Sequence, residues 1–132
     1  MTLKYMLDTN SVSFALRGQG SVAGRLLQHR PSEVCVSAVT VPELRYGADK
    51  RQSKKLHALI DTFVAHVQVV PLGEAEAARY GKVSAKLERL GTPIGQFDTL
   101  IAAHALTLDL VLVTNNARPF GQVGGLRCED WL

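Results

Sequence analysis

Hydrophobic positions along the chain switch repeatedly between short apolar runs and stretches with a helical period. Tyr5-Met6-Leu7 is a short apolar run closed by Asp8, and it predicts a first strand. Val12 to Leu16 reads as a short helix broken by Gly18-Gln19-Gly20, and Ser21 is placed to cap a helix from Val22 to about His29. Pro31-Ser32 turns the chain into a second strand over Glu33–Ser37. Thr40-Val41-Pro42-Glu43 has the form of a capping box, with a Thr cap, a Glu three residues later and Pro in the first turn, and Gly47 marks the last turn of that helix. Ser53 caps a further helix, on which Leu56, Leu59, Ile60 and Phe63 share one face. Val67–Val70 is a third strand closed by Pro71. A long helix spans about Glu74 to Leu90 and stops at Gly91. Another runs from about Asp98 to Leu108, and Leu110–Val113 is a fully apolar strand. Gly121, Gly124 and Gly125 then break up a loop before Trp131-Leu132.

Strands separated by helices imply parallel crossovers, with a sheet covered on both faces. Val34-Cys35-Val36 and Val111-Leu112-Val113 have the apolar, β-branched character of such buried strands. The expected fold is therefore a three-layer α/β/α sandwich with a mostly parallel sheet. No repeat, low-complexity tract or linker divides the 132 residues, so one domain over 1–132 is expected. A chain of that length buries roughly two thirds of its unfolded surface and needs neither disulfide nor structural metal to fold.

Composition changes this picture little. The chain is 46% hydrophobic and 20% charged, ordinary values for a soluble globular protein. No apolar run approaches the ~20 residues of a transmembrane helix, and Asp8 interrupts the N-terminal apolar stretch too early for a signal peptide, so a cytoplasmic protein with no membrane partner is expected. Cys35 and Cys128 form no CxxC pair and have no zinc spacing, and both are expected as free thiols. The net charge of +3 is compatible with nucleic acid without pointing to it strongly. The basic stretch Lys50-Arg51-Gln52-Ser53-Lys54-Lys55 is either a solvated loop between two helices or a contact for an RNA backbone.

The carboxylates carry the chemistry. In an open parallel sheet, sites form outside the carboxyl ends of the strands. Asp8 follows the first strand, Asn115 and Asn116 follow the last after Thr114, Glu43 lies in the first turn after the second strand, and Asp98 opens its helix. Three acids at one rim repel one another, and a hard cation such as Mg2+ or Mn2+ relieves that with oxygen ligands and retained waters. Such an ion activates water and stabilises charge on a phosphate. Each acid also has a purely structural reading: Asp8 as a helix cap, Glu43 as the capping-box glutamate, Asp98 as an N-cap. His104, on an apolar helical stretch, is expected in the core rather than as a ligand.

Together these segments resemble the PIN-domain ribonucleases, and within them the VapC-type toxins of bacterial toxin–antitoxin pairs. The resemblance begins at Met6-Leu7-Asp8-Thr9-Asn10 and continues at Ser37–Gly47 with its Val41-Pro42-Glu43-Leu44 centre. It is strongest at Pro93-Ile94-Gly95-Gln96-Phe97-Asp98-Thr99-Leu100-Ile101-Ala102-Ala103-His104-Ala105, and closes on Leu112-Val113-Thr114-Asn115-Asn116, Phe120, Gly125-Leu126 and Glu129-Asp130-Trp131. Each motif alone is weak; four in order and spacing are specific. The resemblance implies Mg2+- or Mn2+-dependent cleavage of RNA. Asp8, Glu43 and Asp98 fall on the family's three acidic positions as catalytic residues, Asp8 and Asp98 among them as metal ligands. Asn10 or Ser11 falls near a supporting polar position. It further implies a homodimer silenced by a VapB-type antitoxin whose tail covers the site. The Thr114-Asn115-Asn116 and Pro93-Ile94-Gly95 pieces resemble the branch that cuts initiator transfer RNA in the anticodon stem-loop.

One departure stands out. A fourth acid is common in the family after the last strand, and Asn116 and Pro119 occupy its two places here. Asn115 or Asn116 can offer only a neutral amide oxygen. This departure motivates an alternative, a PIN-like domain that binds RNA or an antitoxin with little or no turnover. A phosphatase using Asp8 as nucleophile would need a second Asp where Asn10 stands, and no Walker loop or GxGxxG points to a nucleotide cofactor.

Overall fold

The computed structural model describes residues 2–132. Five strands form one sheet: β1 (Tyr5–Leu7), β2 (Val34–Ser37), β3 (Gln68–Val70), β4 (Val111–Val113) and β5 (Cys128–Glu129). Their order is β3-β2-β1-β4-β5, and every pairing is parallel. Seven α-helices connect them: α1 (Thr9–Leu16), α2 (Val22–Leu26), α3 (Thr40–Lys50), α4 (Lys54–His66), α5 (Glu74–Arg89), α6 (Gln96–Thr107) and α7 (Ala117–Phe120).

Alternation along the strands builds the three layers. In β1, β2 and β4, Met6, Cys35 and Leu112 lie side by side in register and pack with Leu87 of α5 and Ile101, Ala102 and Ala105 of α6. Their neighbours Leu7, Val36 and Val113 enter the second core, with Val12 of α1, Leu44 of α3, Ile60 of α4 and Trp131. Successive strand residues point to opposite faces, so a run apolar on both faces is what a doubly covered sheet requires. The expected α/β/α sandwich is the observed architecture.

Several boundaries differ for local reasons. Pro31–Glu33 forms a single 3-10 turn, so β2 starts at Val34, and the Glu33 carboxylate is occupied by the Arg30 amide at 3.1 Å and Lys4 at 3.0 Å. Ser21 makes no side-chain cap, and α2 ends at Leu26. The helix containing Gly47 continues to Lys50. Ser53 does cap α4, accepting from the Leu56 amide at 3.0 Å. Helix α7 and strand β5 form where the sequence predicts only loop. His104 is fully buried, with Nδ1 2.8 Å from Ser37 Oγ, and burial lowers its pKa, which keeps it a neutral core residue. Both cysteines are free. No helix among the described residues is long and apolar enough to cross a membrane.

Candidate active site

Parallel strands deliver their following residues to one edge. Asp8, Thr114 and Asp130 follow the adjacent strands β1, β4 and β5 at the carboxyl rim. Asp8 is 2% exposed and is fixed from several sides. It caps α1, accepting from the Ser11 amide at 2.8 Å, and the hydroxyls of Ser11 and Thr114 also face its carboxylate. Ser11 Oγ in turn donates to the Val113 carbonyl at 3.0 Å, tying α1 to the end of β4. Thr114 Oγ1 accepts from the Asn116 amide at 2.9 Å. Burial raises the Asp8 pKa, against the lowering effect of these hydrogen bonds, and the Asp130 charge pushes it further up. Capping and membership of an acidic cluster are thus both true of Asp8.

Glu43 does not act as a capping-box residue. Val39 already has helical dihedrals (φ −64°, ψ −33°), and Thr40 is buried within the first turn without capping it. Thr9 of α1 instead donates to Glu43 Oε1 at 2.6 Å. That bond aims the carboxylate across from α3 to the start of α1. Asp98 is not an N-cap either: Gly95, at φ 97°, occupies that position, and α6 begins at Gln96. Asp98 therefore projects from within the first turn, where the helix dipole favours an anion. Even so, its pKa is pushed up to about 6, first by burial and then by the charges of Asp8 and Glu43. Strand ends and helix starts thus bring acids from three separate segments into one electrostatic field.

Asn10 lies on α1 and lines two cavities that Glu43 also lines. Asn115 Oδ1 is buried with no hydrogen-bond partner, while Asn116 engages Thr114 through its backbone amide. Pro119, at one of the two places where the family resemblance puts a fourth acid, lies within α7. Sequence reasoning could not place Asp130; β5 puts it beside β4, close enough for its charge to reach Asp8. Its neighbour in sequence, Glu129, is already engaged by Trp131 Nε1 at 3.0 Å and by Arg25 at 3.8 Å.

Among the described residues, no three His, Cys, Asp or Glu side chains are gathered tightly enough to form a metal cage. The donor set nevertheless suits a hard divalent cation. All the candidate donors are oxygens, they carry mutually repelling charge that raises Asp98, and the orphaned Asn115 oxygen adds a neutral donor at the same rim.

Residues 5–126 match the PIN domain family. The chain belongs to that family, in its VapC branch. It is 42% identical over 130 residues to the tRNA(fMet)-specific endonuclease VapC of Shigella flexneri, covering 98% of both chains. It is 37% identical to the protein of the same name from Salmonella typhimurium, again covering 98% of both. The fold superimposes on a crystal structure of DNA-bound VapBC from Salmonella typhimurium with a TM-score of 0.92 at 37% identity, covering 99% of this chain and 100% of that one. A VapBC complex from nontypeable Haemophilus influenzae gives a TM-score of 0.87 at 33% identity, over 98% of each chain. Within this PIN fold Asp8 follows the central strand, and Glu43 and Asp98 stand in the first turns of the two helices that open at the same rim.

Proposed function

We propose that this chain is the toxin of a toxin–antitoxin pair, an endoribonuclease that requires Mg2+ or Mn2+. The observation that carries the reading is that Asp8 follows the central strand while Glu43 and Asp98 stand in the first turns of helices opening at the same rim, in a VapC-family fold. Asp8 and Asp98 would hold the cation, with Asn115 and Asn116 in support. When bound, the cation acidifies water and offsets charge on the phosphate. The chain's own residues supply position. Ser11 and Thr114 lock the orientation of Asp8. Thr9 holds Glu43 with one carboxylate oxygen committed and the other free to orient a nucleophile or accept a proton. The mild basic excess of the whole chain favours a polyanionic substrate despite the acidic rim.

The relatives named for tRNA(fMet) make initiator transfer RNA the substrate to test, and the resemblance carried by Thr114-Asn115-Asn116 and Pro93-Ile94-Gly95 puts the expected cut in the anticodon stem-loop. The neighbours solved as VapBC complexes support a VapB-type antitoxin as partner. An Arg on its tail would pair bidentately with these carboxylates and displace the cation. A homodimer working in the cytoplasm completes the reading.

Purified protein should be incubated with initiator and elongator methionine transfer RNAs, in Mg2+ and in chelator, and new RNA ends mapped. One cut in the initiator anticodon stem-loop is expected, abolished by chelator and reduced at least a hundredfold by Asp98→Asn. Cleavage that survives both would remove the mechanism. RNA binding without any cleavage would instead favour the alternative motivated by Asn116 and Pro119, a module that binds without turnover.

A further inference from the structure

Of the eight aromatic residues in the chain, two are exposed, Tyr46 at 67% and Phe97 at 51%. Both flank one cavity of about 580 Å³, whose wall also includes Glu43. The two helices that carry the acids also carry these rings. Tyr46 stands three residues after Glu43 on α3, a spacing that puts both on one helical face, and Phe97 directly precedes Asp98 on α6. A second cavity of about 160 Å³ adjoins the first, sharing Asn10, Ser13, Glu43 and Gly47 as walls. Arg17 and Arg51 line it together with Leu16, Leu44, Leu56 and Ile60, and neither guanidinium forms an ion pair among the described residues. Glu43 thus lines both the chamber that holds the two rings and the one that holds the two arginines.

We infer that this pair of chambers grips single-stranded RNA on either side of the cut. A nucleobase unstacked from its loop enters between Tyr46 and Phe97, while the neighbouring backbone phosphate meets Arg17 and Arg51. The inference rests on the ribonuclease reading and names which part of the RNA this chain holds. The physical need is plain. Carboxylates repel the polyanion they are to cleave, so affinity has to come from contacts beside them. Rings supply attraction independent of charge, and every base offers a face to stack on. Recognition of RNA sequence works mainly on such splayed bases in loops, because side chains cannot read the narrow major groove of an RNA helix. Arg51 belongs to the basic stretch between α3 and α4, so the solvated-loop and RNA-contact readings of that stretch divide here: Arg51 serves the phosphate.

The test is a fluorescence titration of protein carrying Asp98→Asn, the substitution expected to suppress cleavage, with a hairpin RNA bearing 2-aminopurine in its loop. Stacking quenches this base. Tyr46→Ala and Phe97→Ala should each weaken binding roughly 5- to 150-fold and abolish the quench. Tyr46→Phe, which keeps the ring, should restore both. Arg17→Ala and Arg51→Ala should keep the quench and make the salt dependence of binding shallower, by about 0.7 in slope for each phosphate left without its arginine. In the cleaving protein, the aromatic variants should raise KM more than they lower kcat.

Retained affinity and quench in Tyr46→Ala and Phe97→Ala would overturn the inference. So would a change in those variants confined to sedimentation or to antitoxin affinity, which would assign the chamber to a second copy or to the antitoxin. A wild-type protein that cleaves no RNA would sink the ribonuclease reading first. A wild-type protein that cleaves while both alanine variants bind normally would sink this inference alone.

Discussion

At the scale of single residues, Asp98 has the most to reveal. Its carboxyl titrates at about 6 in the folded chain and near 3.8 when unfolded, because burial and two neighbouring carboxylates oppose its charge. A carboxyl raised by folding favours the folded state at low pH, where it is protonated in both states. That advantage is lost as pH rises from about 4 through 6. Metal-free protein should therefore lose stability across that window, and Asp98→Asn should remove most of the loss. Near pH 7 the variant should be the more stable by on the order of 2 kcal/mol, a figure reduced for the partial exposure of the group. Urea melts in chelator between pH 4 and 7.5 measure this, and parallel curves for the two proteins would contradict the coupling. Thr9 is the second informative residue. Thr9→Val keeps the branched shape and removes the donor to Glu43, so cleavage should fall about tenfold or more with little change in melting. Unchanged cleavage would show that Glu43 keeps its aim without help.

At the scale of elements, the start of α6 is set by one backbone angle. Gly95 has φ 97° and ψ 154°, a region essentially closed to other residues, although a Cβ there would meet nothing within 4 Å. Its carbonyl accepts from the Thr99 amide at 3.0 Å and the Thr99 hydroxyl at 2.6 Å, so the helix carrying Asp98 is anchored to that conformation. Gly95→Ala should cost about 1–3 kcal/mol and lower cleavage by shifting Asp98. A denaturation midpoint equal to wild type would count against the anchor. This start also shows what the sequence conceals. The apolar period located α6, but a glycine cap has no side-chain signature, so the helix begins two residues before the expected Asp98. Glu43 is a related case: Thr40-Val41-Pro42-Glu43 matches a capping box letter for letter, and only Thr9, distant in sequence, distinguishes the two uses. The two-residue strand β5 has no period of its own. It is defined by β4, through the Leu112 amide on the Arg127 carbonyl at 2.8 Å and the Thr114 amide on the Glu129 carbonyl at 2.9 Å. Strands β1, β2 and β4 were legible because burial on both faces leaves only apolar residues, and the acids were legible because strand ends lead to a single rim. Asp130 was not, since its place depends on β5.

At the scale of the molecule, the last strand ties the sheet edge to the second core. Trp131 is 1% exposed, stacks on His29 at 6° between ring planes and 5.0 Å between centroids, and meets Tyr5 edge-on at 5.0 Å. Trp131→Ala should destabilise by about 3–5 kcal/mol, and Trp131→Phe by clearly less, as read from urea unfolding. Losses of equal size would show that the indole hydrogen bond to Glu129, not ring packing, is what matters. The strand order carries a further consequence, in time rather than in space. Strand β1 lies at the centre of the sheet, yet one of its two partners, β4, begins at Val111. During synthesis Asp8 waits, its second supporting strand unmade, until every residue between β1 and β4 has left the ribosome. Until then Thr114 cannot reach it, and α6 has only β1 and β2 to pack against, without Leu112 of β4. The rim thus stays incomplete through that interval, and its acids come together only when β4 closes beside β1.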